Sequence, residues 1–114
     1  MRPDDAVRIG HIIEACEACR SFVTGRTRAD LNADLMLRFA LVRSIEIVGE
    51  AASKVTAETR SEIAEIPWPS IVAMRNRLVH AYFDIDLDVL WKTATEEIPA
   101  LLSVLPTIAP RSST

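Results

Sequence analysis

Apolar residues recur at helical spacing along almost the whole chain. Between Asp4 and Val23, residues Ile9, Ile12, Cys16, Cys19 and Val23 follow one another at intervals of 3, 4, 3 and 4. That places them on one stripe of an amphipathic helix, and Gly25 ends it. Thr27-Arg-Ala-Asp30 has the form of a capping box with Asp in place of Glu, which predicts a short helical turn before Asn32 or its neighbour re-caps the chain. A second long helix is predicted from about Ala33 to Val55, with Leu35, Leu41, Val42, Ile45, Val48 and Ala52 as its inner face. Thr56 caps a short third helix through Ile63, and Pro67 stops it. Pro69 falls where a first helical position accepts proline, with Trp68 as a packing anchor. From Ser70 to about Tyr82 the pattern turns Ile71, Met74, Leu78 and Ala81 inward. Asp86 is a good N-cap for the last helix, and Asp88 sits favourably in its first turn. Leu87, Leu90, Trp91, Ala94, Ile98, Leu101, Leu102 and Leu105 carry its apolar face to Pro106, and Pro99 is expected to kink it.

No alternating strand pattern, phosphate-binding glycine loop or internal repeat interrupts this series. The expectation is an all-α, antiparallel helical bundle of roughly four to five helices. With 114 residues the chain can build one core but not two, so 1–106 reads as a single domain and 107–114 as a flexible tail. Hydrophobic residues at 49% and charged ones at 25% exclude a disordered tail and fit an ordinary globular chain. A formal charge of −3 excludes a surface built for indiscriminate nucleic-acid binding. Any contact with nucleic acid must be local, and Arg38, Arg43, Arg75 and Arg77 either converge on one positive cleft or scatter. Cys16 and Cys19 form a Cys-x-x-Cys pair inside the first apolar stripe, without a second pair or a histidine cluster, and read as small core residues rather than a redox or metal site. There is no secretory pattern and no long apolar run, so no membrane association is expected and a cytoplasmic location is.

The polar positions are less uniform. On the second helix Arg43, Glu46, Ile47 and Glu50 share a mixed stripe of the kind that lines a cleft or a dimer seam, although a surface ion pair between Arg43 and Glu46, worth tenths of a kcal/mol, accounts for part of it equally well. His11 lies beside the first stripe, away from any other motif. The richest stretch is Met74 to Asp86, which brings Arg75, Asn76, Arg77, His80 and Tyr82 into eight residues and holds one of two histidines and the sole tyrosine. Arginine supplies a fork of donors suited to phosphate, and histidine exchanges protons near neutral pH. Together they point to phosphate ester chemistry. At roughly 100° per residue, Arg75 and Tyr82 fall about 20° apart on a helix while His80 lies about 140° from Arg75. Cleaving RNA through its own 2′-hydroxyl needs both a base and an acid, and one copy of the stretch offers one such residue. Two copies across a twofold axis supply two histidines and two arginines, so a composite site in a homodimer cleft is expected.

Arg75, His80 and Tyr82 stand at the positions of the Arg-x4-His-x-Tyr motif, and in this the chain resembles the HEPN superfamily in its HepT-type toxin branch. Asn76 fits the small polar residue favoured there. The resemblance extends upstream through Arg43-Ser-Ile-Glu-Ile-Val-Gly-Glu-Ala-Ala and Glu65-Ile-Pro-Trp and downstream through Tyr82-Phe-Asp-Ile-Asp to the helix around Trp91, so it covers nearly the whole chain.

It implies a HEPN-like homodimer and a metal-independent endoribonuclease with no cofactor. Arg75 holds the scissile phosphate, His80 acts as acid or base, and Asn76 steadies one of them. Glu50 is expected to orient Arg75 or His80, with Arg43 and Arg77 in support. The resemblance also implies an RNA substrate and a small nucleotidyltransferase antitoxin of the MntA-like kind that transfers AMP to Tyr82. The competing reading keeps the fold but makes the protein a non-catalytic helical module that docks a nucleotidyltransferase or a nucleotide.

Overall fold

The computed structural model describes residues 1–79 and 85–108, with the backbone alone described for 75, 77–79 and 106–108. Its elements run α1 (Pro3–Val23), α2 (Asp30–Ala33), α3 (Leu35–Ser53), α4 (Ala57–Glu62), α5 (Trp68–Val79), α6 (Leu87–Lys92), a π-helical turn (Thr93–Glu97) and α7 (Ile98–Ile108). All regular structure among the described residues is helical, and α1 packs on α3 and α7 while α3 packs on α5.

Local chemistry explains where the elements begin and end. Pro3 opens α1, Asp4 and Asp5 occupy its positive first turn, and Arg20 lies in its last. Gly25, at φ +74°, then takes the left-handed conformation that lets the chain turn away. The Thr27 box forms in half: the Asp30 carboxylate accepts the Thr27 backbone N–H at 2.7 Å, while α2 has Ala29 at its N-cap and no side-chain cap. Asp34, rather than Asn32 or Ala33, caps α3, accepting from Leu37 N at 3.1 Å. Arg26 holds that cap in place, its Nη2 lying 2.6 Å from Asp34 Oδ2 and its Nε 3.4 Å from Asp30. The start at Leu35 corrects the expected inner face. Leu37, one turn before Leu41, is buried, and Leu35 is 52% exposed because it falls about 120° away from the Leu41, Ile45, Val48 and Ala52 stripe.

The core is filled by Ile9, Ile12, Cys16 and Cys19 of α1, the α3 stripe, Ile71 and Met74 of α5, and Leu90, Ala94, Ile98 and Leu105 of the last helical run. Each large aliphatic buried there contributes about 1.5–3 kcal/mol. Both cysteines are free and fully buried, and burial pushes each thiol up to about 12. They fill space at the α1 interface.

Around Pro99 the finding refines the expected kink. Proline removes an N–H and its ring collides with the carbonyl four residues back. The chain answers by widening the turn upstream, so that Ile98 N–H donates to Thr93 O, five residues away. Thr93 and Thr95 hydroxyls donate to the Val89 and Trp91 carbonyls at 2.8 and 2.7 Å, satisfying acceptors around the wider turn. No described helix is long and apolar enough to cross a membrane.

Candidate functional site on the α3 and α5 helices

Helix α5 carries Arg75, Asn76 and Arg77, and its start is fastened by groups from three neighbouring segments. Trp68 is buried, and its indole N–H donates to Ile63 O at 3.1 Å. Arg60 of α4 lies 5.7 Å from the Trp68 ring centroid and donates to Val55 O at 3.1 Å and Ala52 O at 2.8 Å. One guanidinium thus caps the carbonyl end of α3 and backs the tryptophan that begins α5. Beneath α4, the carboxylate of Asp5, 1% exposed, accepts from Thr56 N at 3.0 Å, Thr56 Oγ1 at 2.6 Å and Thr59 Oγ1 at 2.5 Å. The Thr56 and Thr59 hydroxyls favour the ionised form and hold the Asp5 pKa below the ordinary carboxylate value. Sequence reasoning missed both Asp5 and Arg60. An acidic residue in a helix's first turn reads as a solvated dipole partner, and a partner about fifty positions away leaves no local signal.

Ile71 and Met74 are the buried side of α5, and Asn76 is exposed, about 160° round the helix from Met74. Asn76 is therefore available to an incoming group. Only the backbone of Arg75 and Arg77 is described, and the roles expected of His80 and Tyr82 lie outside the described residues. The contact expected between Glu50 and Arg75 or His80 involves those side chains. On α3, Glu50 is exposed and its Oε1 lies 3.6 Å from Lys54 Nζ. Gly49 beside it is buried on the helix that packs against α5. Arg43 is exposed and, among the described residues, makes no ion pair with Glu46 or any other acid. Within the mixed stripe the expected Arg43–Glu46 pair is thus absent, and the described ion pair is that of Glu50 with Lys54.

His11 is not isolated in space. It is exposed on α1 and lines a groove shared with Arg43, Ile47 and Glu50 of α3. Arg38 takes no part in this groove, lying about 140° from Arg43 on the same helix. Of the expected positive cleft, the described structure therefore joins Arg43 not to Arg38 but to Arg8 and Lys54. Among the described residues no group of three or more His, Cys, Asp or Glu side chains is placed to hold a metal ion.

The family model for ribonuclease HepT-like proteins matches residues 12–108, from the middle of α1 to the end of α7. The chain belongs to this HepT-like family. It is 40% identical over 90 residues to a protein of Thermococcus cleftensis named "Probable ribonuclease HepT", covering 79% of this chain and 82% of that one. A "Putative RNase" of Caldanaerobacter subterraneus subsp. tengcongensis is 38% identical over 91 residues, covering 80% and 81%. A Methanocaldococcus jannaschii protein named "Gamma-glutamylcyclotransferase and putative RNase" is 34% identical over 101 residues, 89% of this chain but 46% of its own length. No solved structure gives a significant match. Membership of the HepT-like family, within the HEPN superfamily, agrees with the all-helical fold and puts the matched span across α3 and α5 together.

Proposed function

We propose that this HepT-like protein is an endoribonuclease that serves as the toxin of a type VII-like toxin–antitoxin pair in the cytoplasm. The observation that carries the reading is the family match over residues 12–108, which encloses Arg75-Asn-Arg-Leu-Val-His80-Ala-Tyr82. In this reading two copies meet at a twofold axis, and each contributes Arg75, Asn76 and His80 to one cleft. One His80 takes the proton of the RNA 2′-hydroxyl as its oxygen attacks the adjacent phosphorus. The second copy's histidine protonates the departing 5′-oxygen. The Arg75 guanidinium offsets the additional negative charge of the five-coordinate transition state, and Asn76 steadies the phosphate. Products are a 2′,3′-cyclic phosphate and a 5′-hydroxyl. Base, acid and charge neutralisation all come from side chains, so the chemistry needs no metal. Arg77 and Arg43 supply further positive charge, and Glu50 orients the cationic groups.

A nucleotidyltransferase antitoxin restrains the enzyme by transferring AMP to Tyr82. On one helix Tyr82 falls about 20° from Arg75, so the added anion competes with RNA phosphate for the same guanidinium. The net charge of −3 supports a second reading, a non-catalytic module that docks the nucleotidyltransferase or a nucleotide. His80→Ala and Arg75→Ala are each expected to lower RNA cleavage by at least about 100-fold and to relieve growth arrest on uncontrolled expression. Cleavage that survives both substitutions refutes the enzyme, and harmless expression of the unaltered chain favours the docking module.

A further inference from the structure

The groove between α1 and α3 has two halves. At one end Arg8 and His11 of α1 face Arg43, Glu50 and Lys54 of α3 around a hollow of about 170 Å³. Within that half one acid stands against two arginines, a lysine and a histidine, and it is already engaged by Lys54 at 3.6 Å. Neither Arg8 nor Arg43 is in an ion pair among the described residues. The other half is a hollow of about 400 Å³ that shares His11, Arg43 and Ile47 and continues past Ala18 and Ala40 to Phe22, with Glu14 at its side. From Arg8 to Phe22 the groove follows α1 for about 21 Å at 1.5 Å per residue. Phe22 is 39% exposed.

We infer that this groove binds single-stranded RNA, with backbone phosphates on Arg8, Arg43 and Lys54 and a base laid against Phe22. Two arginines in no ion pair among the described residues, a lysine held only by Glu50 at 3.6 Å and an aromatic platform beside them form the combination that sequence-tolerant single-strand binding requires. An acidic chain repels RNA elsewhere, so a confined positive groove also sets where the strand can lie. Arg8 and Arg43 favour phosphate, whose oxygens accept their forked donors. The inference rests on the ribonuclease reading, in which Arg43 also supports the cleft, for its biological meaning, and it is tested by binding rather than by cleavage.

The probe is a fluorescent 12-nucleotide RNA, fully 2′-O-methylated so that it cannot be cleaved, titrated by anisotropy between 50 and 200 mM KCl. Replacing Arg8, Arg43 and Lys54 together by Ala is expected to weaken binding about tenfold at low salt. It should also reduce the slope of log affinity against log salt by about 2, since each single-strand phosphate contact contributes about 0.7. Phe22→Ala should weaken binding about fivefold without altering the slope. Arg8→Lys with Arg43→Lys should keep the wild-type slope. Unchanged affinity and slope in the triple variant overturn the inference, as does a triple variant that loses an acidic protein partner or its oligomeric mass while binding RNA normally. Cleavage of an unmodified dinucleotide, too short to reach the groove, separates the two readings. If the wild type and an Arg8→Ala, Lys54→Ala double variant, which leaves Arg43 in place, cut it equally, the groove result stands on its own; a double variant that cuts it more slowly puts these cations in the cleavage site and overturns the inference. If the wild type cuts neither the dinucleotide nor a longer unmodified RNA, the ribonuclease reading fails while the anisotropy still decides the groove.

Discussion

Two polar clusters drawn from similar residue types have opposite fates in this fold. Around α4, Asp5, Thr56, Thr59 and Arg60 are tied to specific partners, with hydroxyls on a carboxylate and a guanidinium on two carbonyls. Across the α1–α3 groove, Arg8 and Arg43 are left without acidic partners among the described residues. The first arrangement is what a structural latch looks like, because a buried polar group left unmatched costs about 1–3 kcal/mol. The second keeps its charges in water, where they cost the fold little and stay available to a ligand. The difference teaches that the internal pairing of a charged residue, more than its type, separates scaffold from site.

The comparison breaks most visibly at the latch. Trp68→Ala removes a buried ring, its hydrogen bond to Ile63 and the stacking surface of Arg60. A loss of about 3–5 kcal/mol in urea unfolding is expected, and α5 should loosen with it. A smaller loss would mean that α5 is held by something other than this anchor.

Acid sharpens the contrast next. Asp5 has a folded-state pKa below its ordinary value through the Thr56 and Thr59 hydroxyls, and Asp34 is lowered chiefly by Arg26. A depressed carboxylate stabilises the fold above its unfolded pKa of about 3.9, and that stability is lost as pH falls through the lower folded value. Wild-type protein should therefore lose melting temperature progressively below about pH 4. Asp5→Asn should start lower at neutral pH and fall less steeply in acid, with the residual slope coming from Asp34 and Asp30, the latter lowered chiefly by the Thr27 backbone N–H. Equal slopes for the two proteins would remove Asp5 from the account.

The smallest effect belongs to the groove. Arg8→Ala and Arg43→Ala should each change stability by no more than about 0.5 kcal/mol, measured by the same urea titration. A larger loss would make these arginines part of the scaffold.

Much of this architecture was legible in the apolar spacing. Helix α1, the Thr56 and Asp86 caps and the anchoring role of Trp68 all follow from local rules, and the structure shows each of them. The start of α3 was misplaced because three polar residues near Asp34 compete as caps, and Arg26 decides among them through a contact eight positions away. That shift moved Leu37 inward and Leu35 outward. The Arg75 to Tyr82 motif was legible as a sequence pattern, of which Arg75, Asn76 and Arg77 lie on α5, whereas the α1–α3 groove was not. His11 and Arg43 are 32 positions apart, and spacing rules speak for one helix at a time, so neighbours joined by packing stay invisible to them. Asp5 escaped for the same reason.

The proposed twofold cleft makes one quantitative demand. Wild-type protein and His80→Ala protein, unfolded together in equal amounts and refolded so that subunits mix at random, should retain about a quarter of the cleavage rate of the same total of wild type, because a working cleft needs both histidines. A retained rate of about a half would show that each subunit cuts RNA alone and would contradict the composite site.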